Sequence, residues 1–125
     1  MHPDLEQRLT LMPRRLRNRH SDDVRILETM LAPGERVRAL TAGPLVGRGR
    51  VLFAVTDRRI LLAGSGWSES LPYWQLAGVT AGRGFPLSTT LVIHTAGRVL
   101  ELRSPRQAVA ELVAAVRYAS GVPEI

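Results

Sequence analysis

The stretch VLFAVTDRRILLAG, Val51 to Gly64, constrains the fold more than any other part of the chain. Two apolar runs flank a polar knot, Thr56-Asp57-Arg58-Arg59, and turn chemistry accounts for every residue of the knot. With Asp57-Arg58 as a two-residue loop, Val55 faces Ile60 and Phe53 faces Leu62, so apolar partners meet across a hairpin. Asp57 is then expected in the left-handed backbone that such a loop uses. The knot therefore reads as a turn rather than a working site. The other face of the hairpin is apolar too, through Leu52, Ala54, Leu61 and Ala63. A solvated antiparallel sheet alternates apolar with polar, so this hairpin needs cover on both sides.

The flanking sequence supplies two kinds of pattern. Before residue 32, Leu5, Leu9, Met12 and Leu16 recur at helical spacing, interrupted by Pro13, and a second helix is expected to open at Ser21 as its cap. Val24, Leu27 and Leu31 line one side of that helix, and Pro33-Gly34 ends it. From Glu35 the period becomes two, which predicts strands near 36 to 42, 50 to 56, 59 to 64, 67 to 71, 77 to 83, 89 to 95 and 98 to 103. The Gly82-Arg83-Gly84 stretch reads as a strand kink. Ser104-Pro105-Arg106-Gln107 then reads as a helix start, with Ser104 as cap and Gly121 just past the end. Val109, Leu112, Val113 and Val116 form the apolar stripe of this helix. The organisation expected is a helical leader over 1–31 and a β-domain closed by one helix over 32–121.

Composition removes several kinds of chemistry. There is no cysteine, so disulfides, thiolate zinc sites and thiol nucleophiles are excluded together. All seventeen basic residues are arginine, which excludes a phosphate-loop lysine and Schiff-base catalysis. His2, His20 and His94 form no ligand-spaced pair, so no metal and no cofactor are expected. Ser65, Ser68 and Ser70 lack a nucleophile elbow, Glu69, Glu101 and Glu111 are scattered, and no catalytic residue is assigned. No apolar run reaches the roughly 20 residues of a spanning helix, and a cytoplasmic chain is expected, with peripheral attachment to the inner membrane surface as the alternative. The net charge of +6 keeps an anionic partner in play.

Four segments, LAPGERVRAL, GRVLFAVTDRRILLAG, ESLPYWQLAGVTAGRG and TLVIHTAGRVLEL, followed by a closing helix, resemble the bacterial pleckstrin-homology-like (PH-like) domains related to GRAM domains. The matching positions are Gly34 and Glu35, then Thr56, Asp57 and Arg59, then Ser70, Pro72 and Tyr73. The resemblance covers about residues 31 to 119 and leaves the leader outside. It implies a mainly β fold, a partly open barrel of seven antiparallel strands in two sheets capped by a C-terminal α-helix. These motifs identify a fold rather than a function. In eukaryotic members of the wider superfamily a first-strand basic residue and a second-strand Arg-x-Arg cradle phosphoinositide head groups, and Arg38, Arg48 and Arg50 are the similar set here. Arg48 and Arg50 lie two apart, which on a strand aims both to one side. With seventeen arginines, such pairs also arise by chance.

The functional expectation is a non-enzymatic PH-like module for protein interaction or self-association, with peripheral binding of anionic lipid through Arg38, Arg48 and Arg50 as the alternative. No nucleic-acid motif is present. Leu52 and Leu61, with Leu5 and Leu9 of the leader, are the expected apolar interaction surface, covered by the leader, a second copy, or both. Trp67 and Tyr73 are expected to pack a corner between strands, while Trp74, after Pro72, is the aromatic expected at the surface. The leader arginines Arg14, Arg15, Arg17 and Arg19 read as a solvated basic face on a helix docked against the domain.

Overall fold

The computed structural model describes residues 2–82 and 88–123. Three helices come first, α1 (Pro3–Thr10), α2 (Arg14–Arg19) and α3 (Ser21–Met30). Seven strands follow: β1 (Val37–Leu45), β2 (Gly49–Thr56), β3 (Arg59–Gly64), β4 (Trp67–Pro72), β5 (Leu76–Gly82), β6 (Ser88–Thr95) and β7 (Val99–Pro105). Helix α4 (Arg106–Ser120) closes the chain. Arg83 and Gly84, where a strand kink was expected, lie outside the described residues.

The fold is the mainly β, PH-like partly open barrel expected, with one refinement. All strand pairs are antiparallel, and the strands make one continuous curled sheet in the order β4-β3-β2-β1-β7-β6-β5 rather than two separate sheets. β1 is the joint. It runs three residues past its expected end, pairs along its length with β2, and meets β7 at Leu45↔Leu102. The Val46 N–H donates to the Glu101 carbonyl at 2.9 Å and extends the joint. Gly43 lets the two strands close, since a Cβ there would lie 2.1 Å from the Arg103 carbonyl oxygen. The missing side chain of this strand glycine serves close backbone approach.

The β2–β3 hairpin has the expected register, Val55↔Ile60 and Phe53↔Leu62. Its turn differs, because among the described residues none other than glycine has positive φ and Asp57 is not left-handed. The turn is held from outside instead. The Thr56 hydroxyl accepts from the amides of Arg58 (3.1 Å) and Arg59 (3.0 Å), while Asp57 and Arg36 exchange hydrogen bonds at 2.9 and 3.0 Å.

Both faces of the hairpin are buried, each in its own core. Val51, Phe53, Val55, Ile60 and Leu62 join β5–β7 and the stripe Val109, Leu112, Val113 and Val116 of α4. Leu52, Ala54, Leu61 and Ala63 meet Leu5 and Leu9 of α1 and Val24 and Leu27 of α3. The second face is well matched, because Leu52 pairs with Ala63 and Leu61 with Ala54, so large sits beside small and the helices settle between the leucines. Burying a leucine is worth roughly 1.5–3 kcal/mol, which explains why the leader folds down.

Two expected caps are corrected. Ser21 lies inside α3, whose N-cap is His20, and the His20 Nδ1 meets the Asp23 carboxylate at 2.7 Å. Ser104 belongs to β7, is buried, and shares a hydrogen bond of 3.1 Å with Thr41. The N-cap of α4 falls at Pro105 instead, because the strand pairing of β7 runs on to that residue. Gly121 ends α4 at φ 76°, with its N–H on the Arg117 carbonyl, as read from sequence. Among the described residues no helix is long and apolar enough to cross a membrane.

Candidate functional site

Three regions concentrate polar or open chemistry, and the first lies where α3, β1, β2 and β3 converge. Glu35 is fully buried and all four of its lone-pair positions are used. Oε1 accepts from the Ala32 amide (3.0 Å) and Arg59 Nη2 (2.9 Å), and Oε2 from the Thr56 hydroxyl (2.6 Å) and Arg59 Nε (3.0 Å). Arg59 also donates to the last-turn carbonyl of α3, Met30, at 2.6 Å and to the Ser70 hydroxyl at 3.2 Å. The Tyr73 hydroxyl donates to the Thr56 carbonyl.

Burial opposes ionisation of Glu35, but hydrogen bonds from Arg59, the Ala32 amide and Thr56, with the Arg59 charge, overcome it and hold the carboxyl down at about 2. The same pairing raises Arg59. Burial, then the charges of Asp57 and Glu35, pushes the Tyr73 phenol well above its usual range, so it stays a donor. A carboxylate with every lone pair engaged has none left for a substrate. This cluster ties the leader to the hairpin and is structural, as the turn chemistry of the knot implied. Sequence matching singled out Glu35, Thr56, Arg59, Ser70 and Tyr73 one by one, and the fold brings all five together.

A second tie of the same kind lies at the leader's start. Asp4 accepts from Arg36 Nε at 2.5 Å and from the Val37 amide at 3.2 Å, and the Arg36 hydrogen bond holds its carboxyl below the usual range.

The second region holds the arginines expected to grip an anion. Arg48 sits in the turn after β1 rather than on a strand, its guanidinium 3.6 Å above the Trp67 ring and 2.9 Å from Glu69 Oε1. Glu69 also pairs with Arg98. Arg50 opens β2 opposite Pro44, whereas Arg38 lies near the far end of β1. Pro44 lies six residue steps along the strand from Arg38, roughly 20 Å at about 3.3 Å per step, so the three do not converge. His94 shares a hydrogen bond of 3.0 Å with Thr80 on the neighbouring strand. Among the described residues no three His, Cys, Asp or Glu side chains are placed to share a metal ion.

No protein-family model matches the chain, and no curated protein is significantly similar to it.

The third region is a groove of about 250 Å³ between the α1–α2 elbow, β1 and the first turns of α4. Leu11, Met12 and Leu16 form one wall, Leu40 and Ala42 the floor, and Ala108 the other wall, with Arg8 and Glu111 at its rim. Leu11 is 74% exposed. Of the apolar surface expected from sequence, Leu5, Leu9, Leu52 and Leu61 are buried against one another inside the chain, and only Trp74, 82% exposed, faces water. Trp67 and Tyr73 pack partly buried against the main core, as expected. Sequence reading did not find the groove, since its walls come from three segments far apart in the chain. One signal was present: Leu11 stands off the face shared by Leu5, Leu9, Met12 and Leu16.

Proposed function

We propose that the chain is a non-enzymatic module of the PH-like family that supports protein interaction or self-association, with the groove beside α4 as its docking site. One observation carries this reading. Among the described residues the apolar second face of the hairpin is covered from within, while the groove keeps half-buried Leu40 on its floor beside exposed Leu11. At about 250 Å³ it falls below the roughly 300–1,000 Å³ of small-molecule sites, and it suits the anchor side chains of a protein partner. The Glu35–Arg59 cluster is closed to substrate by its own hydrogen bonds, which favours a binding role over catalysis. Anionic lipid held by Arg38, Arg48 and Arg50 draws less support, because Arg48 is engaged by Glu69 and Trp67 and Arg38 stands apart from Arg50.

A photoreactive residue at Leu11, compared with one at exposed Val46, tests the reading in cells. Discrete protein adducts or a cross-linked dimer at residue 11 alone are expected. Equal labelling at both positions, with a monomeric mass at all concentrations, would remove the groove from consideration.

A further inference from the structure

The curled sheet ends in two outer strands, β4 and β5, and the chain treats them differently. An outer strand presents unpaired N–H and C=O groups to any strand that meets it, and folded proteins guard such edges with bulges, prolines, charges or a cover. β5 is guarded. A bulge interrupts it between Leu76 and Gly78, and its Val79 N–H donates to the Pro123 carbonyl at 3.2 Å, so the stretch after α4 lies against this edge.

β4 lacks these guards. Its register with β3 runs unbroken from Gly64↔Trp67 to Arg59↔Pro72, and its proline stands at the last position. Its one charged residue, Glu69, is already engaged by Arg48 and Arg98. The two-residue turn Ser65-Gly66 closes on the Gly64↔Trp67 pair, so Trp67, Glu69 and Leu71 exchange hydrogen bonds with β3 and the residues between them do not. The main-chain groups of Ser68 and Ser70 therefore point away from the sheet. Both residues are exposed, no strand lies beyond them, and among the described residues none of these groups has a hydrogen-bond partner.

The composition of the edge decides between a foreign strand and a copy of this one. Domains that select a foreign strand do so through pockets for its alternate side chains. Here the alternate residues beside the free groups are serines on the leader side, and on the barrel side Glu69 is occupied by its two arginines. Such an edge has little with which to choose a sequence. Its own sequence, by contrast, fits it under a two-fold axis through Glu69. Ser68 then lies opposite Ser70 of the second copy, every free N–H and C=O of the two serines gains a partner, and Pro72, with no N–H to give, falls outside the paired stretch. The two Glu69 carboxylates approach with their charge already offset by Arg48 and Arg98.

We infer that β4 pairs antiparallel with β4 of a second copy, joining two sheets edge to edge in a two-fold dimer. The contact is isologous and consumes the edge in both copies, so it closes at two chains instead of growing into a fibre. It uses neither wall of the groove beside α4 and stands independently of the docking role given to that groove.

The test uses the full-length chain, which has no cysteine, so a single introduced thiol reports geometry cleanly. In the inferred register residue 69 faces itself in a non-bonded pair with Cα atoms about 4.5 Å apart, within the span of a disulfide. Glu69→Cys is expected to cross-link on mild oxidation at least about tenfold faster than Ala110→Cys, at an exposed position on α4. Sedimentation of the parent chain should show a dimer that fills in between about 1 and 300 µM, in keeping with a small interface. Ser68→Pro removes an outward N–H and sets a ring in the path of the second strand while sparing the bonds to β3. It should weaken the dimer at least about tenfold and suppress the cross-link at residue 69, with circular dichroism confirming the fold. A parent chain that stays monomeric throughout, or a dimer and cross-link untouched by Ser68→Pro, would overturn the inference. Should Ser68→Pro not fold, equal oxidation rates at residues 69 and 110 would overturn it alone. A labelled extended peptide of alternating threonine and valine that binds a monomeric parent would assign the edge to a foreign strand and overturn the second copy. A dimer lost in Ala108→Trp, which fills the groove, but kept in Ser68→Pro would place self-association in the groove and overturn the edge pairing. The reverse pattern supports the edge and leaves the groove to its own test at Leu11.

Discussion

Glu35 and Arg59, twenty-four residues apart, meet as a fork in which each carboxylate oxygen accepts from the same guanidinium, at 2.9 and 3.0 Å. The carboxylate has no exposed surface and the arginine side chain is 26% exposed. Removing one partner of a buried pair strands the other, and typically costs about 3–5 kcal/mol. Glu35→Ala should destabilise the chain toward the upper part of that range in urea unfolding. Arg59→Lys should also be damaging, since an ammonium cannot supply Met30, Ser70 and both oxygens of Glu35 from one plane. A loss below about 1 kcal/mol in either variant would contradict the role given to this pair.

The acid limit of stability follows from the same carboxyl. Its pKa is held at about 2, against an ordinary 4.5, so the folded state binds its proton later than the unfolded state. A depressed carboxyl contributes stability that is complete above its unfolded value and drains away as pH falls through the folded one. Stability should therefore decline between about pH 5 and pH 2, and Glu35→Gln should flatten that decline while lowering stability at neutral pH. Equal slopes in the parent and Glu35→Gln chains would assign the acid sensitivity to other carboxylates.

At the β1–β7 joint, Gly43→Ala should destabilise by at least about 1–3 kcal/mol, because the new methyl meets a backbone carbonyl that cannot swing aside. Gly97→Ala is the control, with nothing within 4 Å of its added carbon. Thermal melts of the two should separate clearly, and coincident melts would refute the close approach at Gly43.

Leader packing is tested by Leu5→Ala, which should cost roughly 2–5 kcal/mol, and by deleting residues 1–30, which uncovers Leu52 and Leu61. The shortened chain is expected to aggregate or to change its mass in solution. A soluble, equally stable monomer would show that the leader contributes nothing.

Much of the architecture was legible because it rests on local pattern. The period-two runs, the helical stripe of α4 and the Gly121 stop each depend on neighbours in the chain, and all appear close to where the sequence put them, with β1 and β7 running on by three and two residues. The doubly apolar hairpin was legible as well, since Leu52 and Leu61 alternate with Phe53 and Leu62. What escaped depends on contacts between distant segments. Ser104 has the right spacing for a cap, yet pairing with β6 and the Thr41 hydroxyl keep it in a strand. Asp57 suits a left-handed turn, but the Thr56 hydroxyl, accepting from the Arg58 and Arg59 amides, and the Arg36 amide, donating to the Asp57 carboxylate, make another turn cheaper. Arg48 pairs with Glu69, twenty-one residues away, a relation no spacing rule contains.

The two-sided burial of the β2–β3 hairpin has a consequence for how the molecule comes apart. This hairpin is the shared floor of both cores, so a fluctuation that frees the leader wets one side of the strands that brace the barrel on the other. Leader and barrel should then lose structure in a single cooperative transition, with amides of Leu52 and Leu61 exchanging only at the free energy of global unfolding. Cleavage of the chain between α3 and β1 would thus act on the barrel's lifetime as well as on the leader, making the stretch from Leu31 to Arg36 a point where proteolysis could set how long the folded protein persists.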